Sequence, residues 1–258
     1  MHKSKKIKLQ LISDVHTEFH GTDQGRKILN RLINKTADEV DAILIPGDLS
    51  TTKGLRYAFS ILCDSYKNVI FTQGNHEYYS SSKGETEDLL QECADKHSNL
   101  HWLDRGTVEI DGQRFVGTTL WFPPTGPALS MRNQFNDFRV IESGRDKFSR
   151  FPHWILEEFS KNKVFLEDNV QEGDVVLTHH IPCKDGIHPN WVGDPGNCFF
   201  MGDVSDVIDK VKAKAWVFGH THNAMSFSIG KTDFHCNPCA YPNEPEYKNF
   251  NDSLVFEV

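Results

Sequence analysis

Five short polar motifs, each placed directly behind a short apolar run, constrain this chain more than any bulk property. They are Ser13-Asp14-Val15-His16, Gly47-Asp48, Gly74-Asn75-His76-Glu77, Thr178-His179-His180 and Gly219-His220-Thr221-His222. The apolar runs read as strands at residues 7–13, 42–46, 68–72, 174–178 and 214–218. Segments of helical period follow the first three, near 24–35, 52–66 and 83–96. That βαβαβα rhythm implies parallel strands joined by crossover helices. Ligands of open α/β sheets bind in the crevice at the carboxyl ends of the strands, so five strands would deliver Asp, His and Asn side chains to one rim.

The pattern then changes. Residues 108–110 and 114–118 read as a hairpin turned by Asp111-Gly112. Residues 121–144, rich in Pro, Asn and Phe, show no element, and a helix is expected over 152–168 with Pro152 in its first turn. A long loop spans 181–202, a short helix 204–211, and the end reads as antiparallel strands at 224–229, 232–236 and 253–258. A mixed α/β sandwich fits this better than a purely parallel sheet. No repeat or linker divides the chain, so residues 1–258 are expected to form one domain.

Carboxylate, amide oxygen and imidazole are ligands for borderline divalent ions such as Mn, Fe, Zn or Ni. No thiolate stands in the motifs, which argues against a structural zinc site. Alternation in Asp14-x-His16 and His220-x-His222 would put both members of each pair on one side of an extended strand end. Glycines before Asp48, Asn75 and His220 would let the backbone turn sharply beside them.

The ordered set D-x-H, G-D, G-N-H-E, H and G-H-x-H resembles the calcineurin-like metallophosphoesterase superfamily, over a span from Asp14 to His222. The resemblance implies a sandwich of two mixed β-sheets flanked by helices. It implies two divalent metal ions, with manganese expected: Asp14, His16 and His222 on one, Asp48 bridging, and Asn75, His179 and His220 on the other. His179 matches the family ligand, and His180 is expected to face away or orient a neighbour. His76 matches a non-ligand histidine that contacts the phosphate and can protonate the leaving group. Two such cations lower the pKa of a shared water towards neutrality, and the resulting hydroxide attacks phosphorus in line. The implied activity is hydrolysis of a phosphate ester, a small phosphodiester or nucleotide being favoured. The alternatives are a phosphomonoesterase, a nuclease and a non-catalytic metal-binding interaction module.

Charge bears on the substrate. With 28 Lys+Arg against 36 Asp+Glu the net charge is −8, and an acidic chain repels a long polyanion, so extended nucleic acid is a less natural partner than a small phosphorylated molecule. Lys8 and Gln10 interrupt the first apolar run, which leaves no signal-peptide core, and no stretch reaches membrane-spanning length. A cytoplasmic protein is expected, its six scattered cysteines free, with Cys236-Asn-Pro-Cys239 holding structural or incidental thiols.

The stretch Asn237-Pro-Cys-Ala-Tyr-Pro resembles an Asn-Pro-Arg-Gly-Tyr segment of bacterial members, with Cys239 and Ala240 in place of Arg and Gly. Asn136-Asp137-Phe138 and the loop from His188 to Asn197 resemble the same branch. Trp191 and Phe138 there would either stack on a substrate group or pack as cover. Arg132, Arg139 and Arg145 would hold a second phosphate or remain solvated.

Overall fold

The computed structural model describes residues 6–124, 126–141 and 147–258. The chain opens with β1 (Lys8–Leu11), α1 (Gly21–Thr36), β2 (Ala42–Pro46), α2 (Thr52–Ser65), β3 (Val69–Thr72), α3 (Lys83–Lys96) and β4 (Leu100–Trp102). Every residue of β2 and β3 is buried, which is what continuous apolar runs demand of strands covered on both faces. Ser82 starts α3 with a capping box, its hydroxyl accepting from Glu85 N while the Glu85 carboxylate accepts from Ser82 N. β4 was not expected, because three residues carry too little pattern to announce a strand.

The hairpin β5 (Gly106–Ile110) and β6 (Gln113–Thr118) forms as expected. The segment read as irregular holds two short helices, α4 (Pro127–Met131) and α5 (Asp137–Val140). The next helix, α6 (Lys147–Asn169), begins earlier than expected, so Pro152 lies inside it rather than in its first turn. Proline there forfeits one ladder bond near the helix start, and its fixed φ suits the helix. β7 (Val175–Thr178), α7 (Ser205–Lys210), β8 (Ala215–Phe218), β9 (Met225–Ile229), β10 (Thr232–Cys236), α8 (Pro245–Asn249) and β11 (Val255–Glu257) complete the chain.

These strands form two mixed sheets. One has the order β11-β1-β2-β3-β4, with β1 to β4 parallel and β11 antiparallel to β1. The other has the order β5-β6-β7-β8-β10-β9, with a parallel centre and antiparallel edges. The last strand therefore does not join its expected neighbours β9 and β10. Period two shows which face of a strand is apolar but not which edge it will meet. Here Leu254, Phe256 and Val258 turn towards Leu9, Leu11, Leu44, Val175 and Val217, in the layer between the sheets.

Helices α1 to α3 cover the outer face of the five-stranded sheet, through Leu29, Leu32, Leu55, Phe59, Leu62 and Leu90. Leu166 of α6 and Val207 and Ile208 of α7 cover the outer face of the other sheet, against Trp216 and Phe234. A fourth cluster, with Tyr78, Trp121, Phe122, Phe138, Ile155 and Phe199, ties residues 121–141 to the 181–202 loop. Among the described residues no helix is long and apolar enough to cross a membrane.

Candidate metal centre

The carboxyl ends of β1, β2, β3, β7 and β8 converge where the two sheets meet, and the loop after β1 is joined to the end of β10 by a bridge between Ser13 and Pro238. All eight predicted residues come together there. Asp14, His16 and His222 form one group of facing donor atoms, and Asp48, His179 and His220 form another. The Nε2 atoms of His16 and His222 are 3.0 Å apart. His179 Nε2 lies 3.0 Å from Asn75 Oδ1 and 3.1 Å from His220 Nδ1. Asp48 Oδ2 faces both groups, at 3.7 Å from His16 Nε2 and 3.5 Å from His179 Nε2.

The donors reach these places by a different route from the one expected. Asp14, His16, Asp48, His220 and His222 all have left-handed backbone, with φ of 50°, 47°, 55°, 67° and 53°. The Asp-x-His and His-x-His pairs therefore do not alternate along extended strand ends. Each such residue costs on the order of 1–3 kcal/mol and persists only where its surroundings over-determine it. The glycines also divide by role. Of Gly47, Gly74 and Gly219, only Gly47 has positive φ, at 88°. Gly74 is required by close approach, because a Cβ there would lie 2.2 Å from Asp48 Oδ1 and 2.6 Å from His179 Cε1.

A second set of side chains fixes the first. Glu77 is fully buried and accepts from the backbone N–H groups of Asp48, Leu49, Ser50 and Gly74, at 2.6 to 3.3 Å. Burial pushes its carboxyl up to about 7 against the pull of those donors. His179 Nδ1 pairs with Pro46 O at 2.9 Å, and His222 Nδ1 with Glu244 at 2.7 Å. These contacts turn the opposite nitrogen of each ring into the centre. Asp137 Oδ1 accepts from Asn75 Nδ2 at 2.9 Å and from the Tyr79 hydroxyl at 2.6 Å. His76 stacks on Tyr79 with centroids 3.9 Å apart, its Nδ1 at 2.9 Å from Glu18 Oε1 and its Nε2 at 2.9 Å from the Tyr241 hydroxyl. His76 also comes within ligand reach of His16 and Asp48.

Sequence reasoning named Glu77 and Tyr241 within motifs without giving them a role and missed Glu18, Tyr79 and Glu244. Glu18 stands four residues after Asp14, and Glu244 three after Tyr241, so a polar signal existed. What each would meet was not written locally. His180 is fully buried and packs its ring with centroids 4.3 Å from that of His220.

The electrostatics suit a cation. Burial raises Asp14 and, together with the charges of Glu77 and Asp14, raises Asp48 well above the carboxylate range. Burial and neighbouring imidazoles hold His16, His179 and His220 well below the usual histidine range, in the neutral form that binds metal. His222 is the exception: burial opposes its charge, but Glu244 and Asp14 outweigh it and raise the ring. Asp14 Oδ2 is buried without a hydrogen-bond partner. Oxygen and nitrogen donors about 3 Å apart are also what metal bonds of about 2.1 Å require of neighbouring ligands. The residues present fit two divalent ions.

The centre opens into a cavity of about 410 Å³. Its lining includes His76, Tyr79, Phe135, Trp191, Tyr241 and Glu246, and no Lys or Arg among the described residues. Trp191 is half-exposed at this wall, its Nε1 donating to Asn223 Oδ1 at 2.8 Å. Phe138 is buried against Phe122 and Phe199 as cover, so the two aromatics singled out from the sequence part company. Arg132 donates to the Leu129 carbonyl and Arg139 to the Asn136 side chain, both exposed and neither at the cavity. Arg145 lies outside the described residues.

All six cysteines are free. Cys236 and Cys239 are buried in different apolar clusters, and burial pushes the Cys239 thiol up to about 12. The Cys-x-x-Cys segment is a pair of packed thiols, with Cys239 buried where the segment of bacterial members has arginine. Ala240, standing in the glycine position, takes a φ of 66°.

Residues 7–224 match the pattern of the calcineurin-like phosphoesterase family. Uncharacterized protein L509 of Acanthamoeba polyphaga mimivirus is 24% identical over 97% of this chain and 96% of its own length. The crystal structure of phosphopantetheinyl hydrolase (PptH) from Mycobacterium tuberculosis superposes with a TM-score of 0.77 at 15% identity, covering 99% of this chain and 97% of that one. A dimetal phosphatase from Danio rerio superposes with a TM-score of 0.50 at 14% identity, covering 93% and 90%.

Proposed function

The chain belongs to the calcineurin-like phosphoesterase family and is a phosphoester hydrolase, and from that premise we propose that it cleaves a small phosphodiester, a nucleotide ester included, at a two-metal centre. In this reading Asp14, His16 and His222 hold one cation, Asn75, His179 and His220 the other, and Asp48 belongs to both. The observation that carries it is Asp48 Oδ2 facing two groups of buried donors at once. Two divalent cations there would supply a water of lowered pKa and positive charge opposite the phosphoryl oxygens.

The chain's own residues do the rest. In this reading His76 is not a ligand, and Glu18 and Tyr241 engage its two nitrogens. Glu18 holds the ring so that Nε2 faces the cavity, and an ester oxygen displacing the Tyr241 hydroxyl would meet a proton donor there. That role favours diesters, whose leaving alkoxide benefits from a proton. A cavity of about 410 Å³ suits a small ester. A lining without Lys or Arg among the described residues offers no groove for a polyanion, which supports a single phosphate over a long nucleic acid.

The test is hydrolysis of bis-p-nitrophenyl phosphate and p-nitrophenyl phosphate with Mn²⁺, beside Asp48→Asn. Diester turnover that disappears in the variant is expected. Faster monoester than diester turnover would replace the diester assignment with a phosphomonoesterase. Full activity in Asp48→Asn would sink the shared-carboxylate centre.

A further inference from the structure

Asn75 is the one candidate ligand whose two ends differ in kind. Its oxygen can bind a cation and its NH₂ cannot, and the two exchange places by a half-turn of the side chain. The segment between β6 and α6 settles that choice. Asp137, 6% exposed at the start of α5, turns Oδ1 to Asn75 Nδ2 at 2.9 Å. A flipped amide would set oxygen against that carboxylate, so the oxygen is left facing His179 Nε2 at 3.0 Å. The same Oδ1 takes the Tyr79 hydroxyl at 2.6 Å, and Tyr79 is the platform on which the His76 ring lies. The backbone reinforces the link: Ser80 N donates to Val140 O at 2.9 Å, and Tyr79 bridges Ile141.

We propose that Asp137 is a positioning residue, fixing the Asn75 amide with its oxygen in the centre and the Tyr79 ring beneath His76. This rests on the two-metal reading, but its first readout is metal binding, which needs no substrate. One carboxylate thereby ties the segment over the cavity to one metal site and to His76.

The experiment is calorimetric titration of metal-free protein with Mn²⁺, for wild type, Asp137→Ala and Asp137→Asn, with thermal melting of each metal-free form. Losing the partner of a metal ligand costs roughly 10–100-fold in affinity. Asp137→Ala is expected to weaken one Mn²⁺ by that amount and leave the other within threefold. Asp137→Asn, which keeps an oxygen in the same place, is expected to recover most of the loss. If the alanine variant fails to fold, Asp137→Ser gives the same reading, because its hydroxyl stays at the start of α5 but is too short to reach Asn75. Wild-type affinity for both ions in Asp137→Ala or Asp137→Ser overturns the proposal. So does an Asp137→Asn variant as impaired as the alanine, since charge rather than position would then be at work. Two tight Mn²⁺ ions in wild type without ester hydrolysis would defeat the functional reading and leave this inference standing.

Discussion

The five-stranded sheet brings Asp14, His16, Asp48 and Asn75 to the centre, while the six-stranded sheet brings only the imidazoles of His179, His220 and His222. The two sides are also braced differently. On the first, Glu77 gathers four backbone N–H groups from the loops after β2 and β3, and His76 N donates to Asp48 Oδ1 at 2.9 Å. On the second, His179 leans on Pro46 O and His220 N donates to Asp14 Oδ1 at 2.9 Å, so both are held by the opposite sheet. Apart from Asn75, which Asp137 braces from the segment after β6, the first side supports itself and the second leans on it. Away from Asn75, damage to the first should reach both metal sites, and damage to the second should stay at one.

Asp48→Ala should have the largest effect. Removing the carboxylate that both groups share is expected to abolish tight binding of both Mn²⁺ ions and to lower diester turnover by about 10⁴-fold, the scale seen when one member of a catalytic unit is lost. A variant that keeps one tight ion by calorimetry breaks the comparison.

Glu77→Ala comes next. It leaves buried N–H groups on two loops without their acceptor, and a loss of about 3–5 kcal/mol is expected in urea unfolding of metal-free protein. A loss below about 1 kcal/mol would mean that the five-stranded side is not self-braced.

His76→Ala separates chemistry from metal holding. Both ions should remain, while turnover falls by about 10²-fold, more for esters with poor leaving groups. Equal slowing for good and poor leaving groups would remove the proton-donor role.

The smallest effect is expected on the six-stranded side. Glu244→Ala releases His222 Nδ1 and the Tyr241 N–H, and about a tenfold weakening of one Mn²⁺ is expected with the other unmoved. Weakening of both by the same factor would show that the two sides are not independent in the way their bracing implies.

Much of this centre is legible in the amino-acid sequence. The donors are polar residues behind apolar runs, and both signals are local, so β1, β2, β3, β7 and β8 and the residues at their ends can be read together. The route to the centre cannot. Alternation predicts extended pairs, whereas five of the donors are left-handed, a conformation in which Asp and His are enriched but which residue type alone does not announce.

The sequence by itself determined the donor chemistry, the parallel strands and the acidic balance, because residue type and hydrophobic period act over a few residues. Only the tertiary structure decided that β11 joins β1, that Phe138 packs while Trp191 faces the cavity, and that Glu18, Asp137, Tyr241 and Glu244 hold the histidines and the amide. The reason is reach. Asp137 meets Asn75 across 62 residues and Tyr241 meets His76 across 165, and such partners are chosen by the packing of two sheets rather than by any pattern along the chain.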